Sequence, residues 1–174
     1  MEHKKLKEYS CNNKALLTGQ ILYSLKKRYL EDQKDFERLM QLLNCLTDSY
    51  VLIPMKGKVL KKDKLKYQRG KLITNLKIDN IVKLEPEITK LKDGTQYLTI
   101  FIREDSASPE YLKNYTTIWL HMSDILKLYK KLDNLDGILL DLIHEPITFG
   151  PKVVDTMEQI SDNKEKYLHT KKES

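Results

Sequence analysis

An aspartate-glycine pair at residues 93–94 stands between two alternating runs, EPEITKLK before it and TQYLTIFI after it. Both residues tolerate the positive φ angles of a type I′ turn, so this pattern is a strong signal for a β-hairpin. The second run places three side chains on each face: Tyr97, Thr99 and Phe101 on one, and Leu98, Ile100 and Ile102 on the other. Because both faces are largely apolar, we expect this strand to lie centrally in its sheet.

Helical periodicity appears on both sides of this hairpin. Apolar residues recur at three- and four-residue intervals in residues 14–30, 35–46, 123–132 and 150–160, which predicts four helices. Asn12 or Asn13 could cap the first helix, Asp35 is the expected cap of the second, and Ser123 with Asp124 should open the third. A shorter helix is expected after Ser108, which precedes a proline at the first helical position.

The remaining apolar runs predict strands at residues 50–55, 71–78, 116–122, 137–143 and 145–149. Helices mixed with antiparallel hairpins indicate an α+β domain, with a single mixed, largely antiparallel sheet and helices packed against it. The predicted core contains Phe36, Leu39, Leu43, Leu52, Ile100, Phe101, Leu126 and Leu139.

The 174 residues, 40% hydrophobic and 32% charged, suit one globular domain. We expect a flexible basic N-terminus at 1–11, the domain at 12–161, and a polar C-terminal tail at 162–174 that frays. No apolar run has the length of a signal peptide or a membrane span. Cys11 and Cys45 form no metal-binding or disulfide pattern, so a cytoplasmic protein is the expectation.

Positive charge is concentrated in residues 56–71, KGKVLKKDKLKYQRGK, which hold eight basic residues and one acid in a chain of net charge +6. We expect an exposed basic loop or hairpin here. An RNA- or DNA-binding function is the alternative that this segment suggests, although a solvated loop is the simpler interpretation. The candidate polyanion contacts are Lys61, Lys62, Lys64, Lys66, Tyr67 and Arg69.

The sequence contains no recognisable catalytic, metal-binding or cofactor-binding motif. Its four histidines are scattered, and it has neither a glycine-rich phosphate loop nor a GxSxG motif. Cys45 has no neighbour in sequence that would lower its pKa, and His144 with Glu145 is interpreted as a polar turn. We therefore predict no catalytic residue, no metal and no cofactor, and expect a protein that is not an enzyme.

Four residues are candidates for contact with a partner: Trp119, Arg103, Glu104 and Asp105. Trp119 is the only tryptophan; on an alternating strand it is a core residue or, at a sheet edge, a partner anchor. The three charged residues follow the central strand, where ligands can dock. Acidic residues before a helix also interact favourably with the positive N-terminal end of the helix dipole. A structural role is therefore the preferred interpretation for Glu104 and Asp105.

Three segments, in this order, resemble the SseB (enhanced serine sensitivity) family: DFERLMQLLNCLTDSYVLIP, DGTQYLTIF and LDNLDGILLDLIHEPITFGPKVVDTM. The resemblance spans roughly residues 12–160. The chain departs from the family at Ile102-Arg103, where members tend to have Thr-Ser, and at Asp141-Leu142, where they tend to have Asn-Pro. The resemblance implies the α+β fold and a bacterial cytoplasmic setting, and it implies no established reaction.

From these observations we expect a small non-catalytic protein that acts by binding an unidentified protein partner. A regulatory or a toxin-neutralising role fits this expectation equally well. We expect a monomer or a homodimer with no membrane association, and nucleic acid as the alternative partner.

Overall fold

The computed structural model describes residues 19–57 and 82–170. Its helices are α1 (Gln20–Glu31), α2 (Phe36–Thr47), α3 (Pro109–Leu112), α4 (Met122–Lys131) and α5 (Pro151–Thr170). Its strands are β1 (Tyr50–Met55), β2 (Ile88–Lys90), β3 (Gln96–Ile100), β4 (Thr116–His121), β5 (Gly137–Leu140) and β6 (Ile147–Phe149). The predicted α+β class is confirmed. Asn12, Asn13, the expected strand at 71–78 and the basic residues 58–71 lie outside the described residues.

The strands form two ladders that meet at two isolated bridges. One ladder has the order β2-β3-β5-β6, with β3 and β5 parallel and the other pairs antiparallel. The other pairs β1 with β4, antiparallel. The bridges join Leu52 to Phe101 and Met55 to Pro86. The arrangement is therefore mixed and largely antiparallel, with β3 between two neighbours as the alternating pattern predicts.

The main core lies between one face of these strands and the four long helices. Strand residues Leu98, Ile100, Ile138 and Leu140 pack there against Leu22 of α1, Leu43 of α2, Ile125 of α4 and Met157 of α5. The opposite face carries a smaller buried cluster formed by Leu52, Phe101 and Ala107. The sheet thus has two apolar faces, and the 3₁₀ turn Glu104–Ser106 with α3 lies beside the smaller cluster.

The core prediction fails at Phe36, whose side chain is 72% exposed. The predicted cap is confirmed, because the Asp35 carboxylate accepts hydrogen bonds from the amides of Glu37 and Arg38. The fully buried positions of α2 all lie within residues 42–47, so the first turn of the helix extends past the core. Leu39 is partly buried, and the other predicted core residues are buried.

The predicted hairpin is confirmed, but its turn differs from type I′. The pairing of Lys90 with Gln96 leaves a five-residue loop between β2 and β3, and in it only Gly94 has a positive φ, 89°. Asp93 instead accepts a hydrogen bond from the amide of Thr95. The aspartate therefore closes the loop through its side chain, as in an Asx turn, without adopting a left-handed backbone.

Helix α5 continues to Thr170, through residues 162–170 where the sequence predicted a polar tail that frays. The Lys164 ammonium anchors this extension, donating to the Asn44 carbonyl at 2.9 Å, the Thr47 hydroxyl at 3.0 Å and the Asp48 carboxylate at 2.9 Å. A cation at the C-terminus of α2 favours the dipole of that helix. None of the helices within residues 19–57 and 82–170 combines the length and apolar character needed to cross a membrane.

Candidate functional site

The carboxyl ends of the parallel strands β3 and β5 are the first place to look for a site, because ligands often bind there in sheets covered by helices. Asp141 follows β5 directly and has a positive φ of 56°. One of its carboxylate oxygens lies 2.8 Å from the Lys26 ammonium, and the other accepts a hydrogen bond from the Ile102 amide at 2.9 Å. Ile102 and Asp141, at the ends of the two parallel strands, are therefore in direct contact.

This network is closed to ligands. The side chains of Lys26 and Asp141 are each 1% exposed, and the Lys26 ammonium also donates to the His144 carbonyl at 2.8 Å. Both carboxylate oxygens have protein donors, so the buried charge pair is well satisfied. The pair holds α1 against the end of β5, and we assign it a structural role.

The predicted interaction residues Arg103, Glu104 and Asp105 lie beside this network, at the end of β3. The Arg103 side chain pairs with the Asp105 carboxylate at 2.9 Å, and its guanidinium lies 4.5 Å from the centre of the Tyr23 ring. Glu104 and Asp105 are exposed within the 3₁₀ turn. Ser108 caps α3, because its hydroxyl accepts a hydrogen bond from the Tyr111 amide. Asp105 therefore does not act as the cap and instead forms the ion pair with Arg103.

Trp119 lies apart from those charges, on the face of the smaller cluster. Its side chain is half-buried and packs with Tyr111 and Leu112 against Leu52, Phe101 and Ala107. Tyr115 stacks on Tyr111 with ring centres 4.7 Å apart, and Phe101 meets the Tyr111 ring edge-on at 5.5 Å. We call the four partly exposed residues the aromatic surface: Tyr111, Leu112, Tyr115 and Trp119.

A carboxylate borders the aromatic surface. The Glu87 backbone is fixed between strands, since its amide donates to the Pro54 carbonyl and its carbonyl accepts from the Thr99 amide. The Glu87 side chain is 14% exposed, and its Oε2 atom makes no hydrogen bond; the Lys56 ammonium lies 3.6 Å away. Burial, and then the nearby charge of Glu87, raises the pKa of the Tyr115 hydroxyl.

Tyr111 has the same environment. Its hydroxyl is buried and lies close enough to the Tyr115 hydroxyl for the two groups to interact. Burial raises the pKa of the Tyr111 hydroxyl, and the neighbouring Tyr115 and Glu87 raise it further. Both tyrosines therefore remain neutral hydroxyls at neutral pH.

His121 caps α4 in place of the predicted Ser123: its Nδ1 atom accepts from the Ser123 amide at 3.2 Å and lies 2.8 Å from the Ser123 hydroxyl. Burial lowers the pKa of His121. Burial also raises the pKa of the Cys45 thiol, which disfavours the reactive thiolate. Within residues 19–57 and 82–170, no group of three His, Cys, Asp or Glu side chains is placed to hold a metal ion.

Sequence reasoning missed the two networks for different reasons. Lys26 falls within an apolar helical stripe and Asp141 interrupts an apolar run, so two opposite charges at core positions could have indicated a buried pair. Glu87 carries no such signal toward Tyr111 and Tyr115, because it lies in a separate segment and shares no periodic pattern with them. The candidate polyanion contacts, Lys61 through Arg69, lie outside the described residues.

Comparison with known proteins gives no significant match to a family model, to a curated protein or to a solved structure.

Proposed function

We propose that this chain is a non-catalytic, SseB-like protein of the bacterial cytoplasm that acts by binding another protein through its aromatic surface. The observation that carries the proposal is the set of partly exposed side chains Tyr111, Leu112, Tyr115 and Trp119 over a buried base. Tyrosine and tryptophan are enriched among the residues that dominate binding energy at protein interfaces. A regulatory or a toxin-neutralising role would both use such a surface.

The buried base supports this proposal because it orders the surface before binding. Phe101 is 0% exposed and supports the Tyr111 ring, while Leu52 lies opposite Trp119 across the β1–β4 ladder. Side chains that are already held in place lose less conformational freedom when a partner binds. The surface can therefore contribute affinity with a small entropic cost.

The test is affinity capture from a cytoplasmic extract with the full chain as bait, at two salt concentrations, with and without nuclease. We compare the unaltered protein with Trp119→Ala and Leu112→Ala. The matched control is Phe36→Ala, which removes an aromatic side chain that is 72% exposed on α2. Circular dichroism and urea unfolding establish that each variant is folded.

We expect the unaltered protein and Phe36→Ala to retain the same protein, and Trp119→Ala to lose at least about tenfold in affinity for it. Retention that survives both Trp119→Ala and Leu112→Ala with the fold intact would refute the proposal. Retention that disappears after nuclease treatment would favour the alternative function.

The alternative function is binding of RNA or DNA through residues 56–71, and the distribution of charge along the sequence supports this alternative. Residues 19–57 and 82–170 contain fewer lysines and arginines than aspartates and glutamates, although the whole chain has a net charge of +6. Its test is the salt dependence of binding to labelled RNA and DNA, with Lys61, Lys62, Lys64 and Lys66 changed to glutamine. Tight binding at about 150 mM salt that collapses in this variant would support it.

A further inference from the structure

Two cationic side chains meet at the Tyr23 ring of α1. The Arg103 guanidinium carbon lies 4.5 Å from the ring centre, and the Lys27 ammonium lies 4.9 Å from it. Lys27 lies one turn after Tyr23 on the same helix, whereas Arg103 reaches the ring from the segment that follows β3. The attraction of an aromatic ring for cations thus holds two positive groups close together, although they repel each other.

The positive charge at this ring is only partly compensated and is open to solvent. Lys27 is exposed and forms no ion pair with any described residue. The Arg103 side chain is 28% exposed, and its Nε atom is buried 2.9 Å from an Asp105 oxygen, without the alignment of a hydrogen bond. Nε is the only guanidinium nitrogen that is both buried and without a hydrogen bond, and neither Nη group has a partner among the described residues, so both Nη groups face solvent.

A single buried carboxylate fixes the backbone next to both cations. Asp141 accepts a hydrogen bond from the amide of Ile102, the residue before Arg103. The same carboxylate binds the ammonium of Lys26, the residue before Lys27, at 2.8 Å. These contacts hold the two cations in place at the carboxyl ends of β3 and β5, the end of a sheet at which ligands often bind.

We infer that Tyr23, Lys27 and Arg103 form a binding site for the carboxylate of a glutamate or aspartate side chain of the protein partner, an inference that rests on the proposed function. The two Nη groups of a guanidinium match the geometry of a carboxylate, and the Lys27 ammonium adds a second positive charge. Lys27 and Arg103 together exceed the charge of Asp105 by one. This excess matches one carboxylate, whereas a phosphate monoester carries close to two negative charges at neutral pH.

The openness of the site favours a side chain of a protein over a small molecule. Sites for small molecules are concave and bury most of the ligand, whereas Lys27 is exposed and Tyr23 and Arg103 are partly exposed. A solvated carboxylate in contact with such cations is bound weakly. In a protein partner other contacts supply most of the affinity, and a charged contact of this kind orients the partner and speeds its association.

The probe is the peptide acetyl-Gly-Glu-Gly-amide, titrated at constant ionic strength into the isotope-labelled full chain and followed by NMR. Acetyl-Gly-Gln-Gly-amide is the neutral isostere. We expect saturable shifts of the Arg103 Nε–H and Tyr23 ring signals with the glutamate peptide, and much weaker shifts with the glutamine peptide. Lys27→Gln and Arg103→Gln should each weaken binding of the glutamate peptide about two- to fivefold, as expected for the loss of an exposed ion pair.

Matched variants define the site. Arg28→Gln removes an exposed cation next to Lys27 that is not one of the two at the Tyr23 ring, and it should leave binding unchanged. Asp105→Asn removes the internal competitor for Arg103 and should strengthen binding, and Glu104→Gln, a change at the adjacent exposed acid, should have a smaller effect. Lys27→Gln tests the site even if Arg103→Gln proves unstable, because Lys27 is exposed.

Equal shifts with the glutamate and glutamine peptides would overturn the inference, and so would glutamate binding that both Lys27→Gln and Arg103→Gln leave unaffected. Tighter binding of inorganic phosphate than of the glutamate peptide would overturn the assignment to a carboxylate.

The same experiments separate this inference from the proposed function. If Trp119→Ala abolishes partner capture while the glutamate peptide does not bind, this inference fails and the proposed function stands. If the glutamate peptide binds as expected but capture survives loss of Trp119 and Leu112, the proposed function fails and the carboxylate site stands as a separate property.

Discussion

The Lys26 ammonium and the Asp141 carboxylate lie 2.8 Å apart, although the two residues are separated by 115 positions in the sequence. Each side chain is 1% exposed, so the pair lies entirely within the protein. Asp141 also accepts a hydrogen bond from the Ile102 amide, and this bond couples the end of β5 to the end of β3. One ion pair thus joins the first described helix to both parallel strands.

Lys26→Met should destabilise the protein by about 3–5 kcal/mol, because it leaves the Asp141 carboxylate buried without its cation. Urea unfolding followed by circular dichroism measures this change. Lys27→Met is the matched control on the same helix, since Lys27 is exposed, and its cost should be below about 1 kcal/mol.

The double variant Lys26→Met with Asp141→Asn separates the pair from its surroundings. Asparagine tolerates the left-handed backbone of residue 141 and can still accept from the Ile102 amide. If the two charges stabilise each other, the double variant loses less stability than the sum of the single variants. Additive losses would show that the ion pair itself is unimportant.

The pattern of apolar residues predicted the architecture because burial is what that pattern encodes. The alternation from Tyr97 to Ile102 corresponds to a strand with one face on the main core and the other on the Phe101 cluster. The same reasoning failed at Phe36, since periodicity cannot show where a helix passes the edge of the core. Turn type was also missed, because the Asp93 side chain bonds to Thr95 and Gly94 alone takes the positive φ.

The candidate site was less predictable than the fold. Trp119 could be selected from its residue type, but Tyr111 and Leu112, which pack against the same cluster, come from a separate element and share no periodic pattern with it. Such a site depends on which side chains meet across the sheet, and a single sequence contains no direct record of those contacts.

Substitutions at two phenylalanines test the finding that Phe101 lies in the core and Phe36 does not. Phe101→Ala should cost about 3–5 kcal/mol, because the Phe101 ring is 0% exposed at the centre of the smaller cluster. Phe36→Ala should cost less than about 0.5 kcal/mol, since its side chain is 72% exposed. Equal melting temperatures for the two variants would contradict the arrangement of β3 against β1.

The pH dependence of stability should reflect His121. Burial lowers the pKa of His121 below its ordinary value of 6.5, so the unfolded chain binds its proton more readily than the folded chain. The contribution of His121 is therefore complete above pH 6.5 and decreases as the pH falls below that value. Protonation would also place a hydrogen on Nδ1, the atom that accepts the hydrogen bond from the Ser123 amide.

The measurement is urea unfolding between pH 8 and pH 5 for the unaltered protein and for His121→Asn, which retains capping ability without titrating. Asp48, Asp124 and Lys164 act electrostatically on His121, and they remain in both proteins. His144→Asn, a change at an exposed histidine, is the control. We expect His121→Asn alone to reduce the loss of stability below pH 6.5; equal losses in all three proteins would exclude His121 as the cause.

Gly137 should tolerate no side chain. It begins β5 with φ 149°, and a Cβ atom built there would lie 2.0 Å from the carbonyl oxygen of Phe149 in the paired strand β6. Gly137→Ala must therefore separate β5 from β6 or distort both, and we expect a loss of about 3 kcal/mol or more in the free energy of unfolding.

Gly94→Ala is the control that separates steric overlap from backbone strain. Gly94 also has a positive φ, 89°, but no atom lies within 4 Å of its hypothetical Cβ. Its substitution should cost only about 1–2 kcal/mol, the penalty of a left-handed alanine. Urea unfolding compares the two variants, and amide exchange in β6 shows where the structure loosens. If Gly137→Ala cost no more than Gly94→Ala, the close approach of β5 to Phe149 would be refuted.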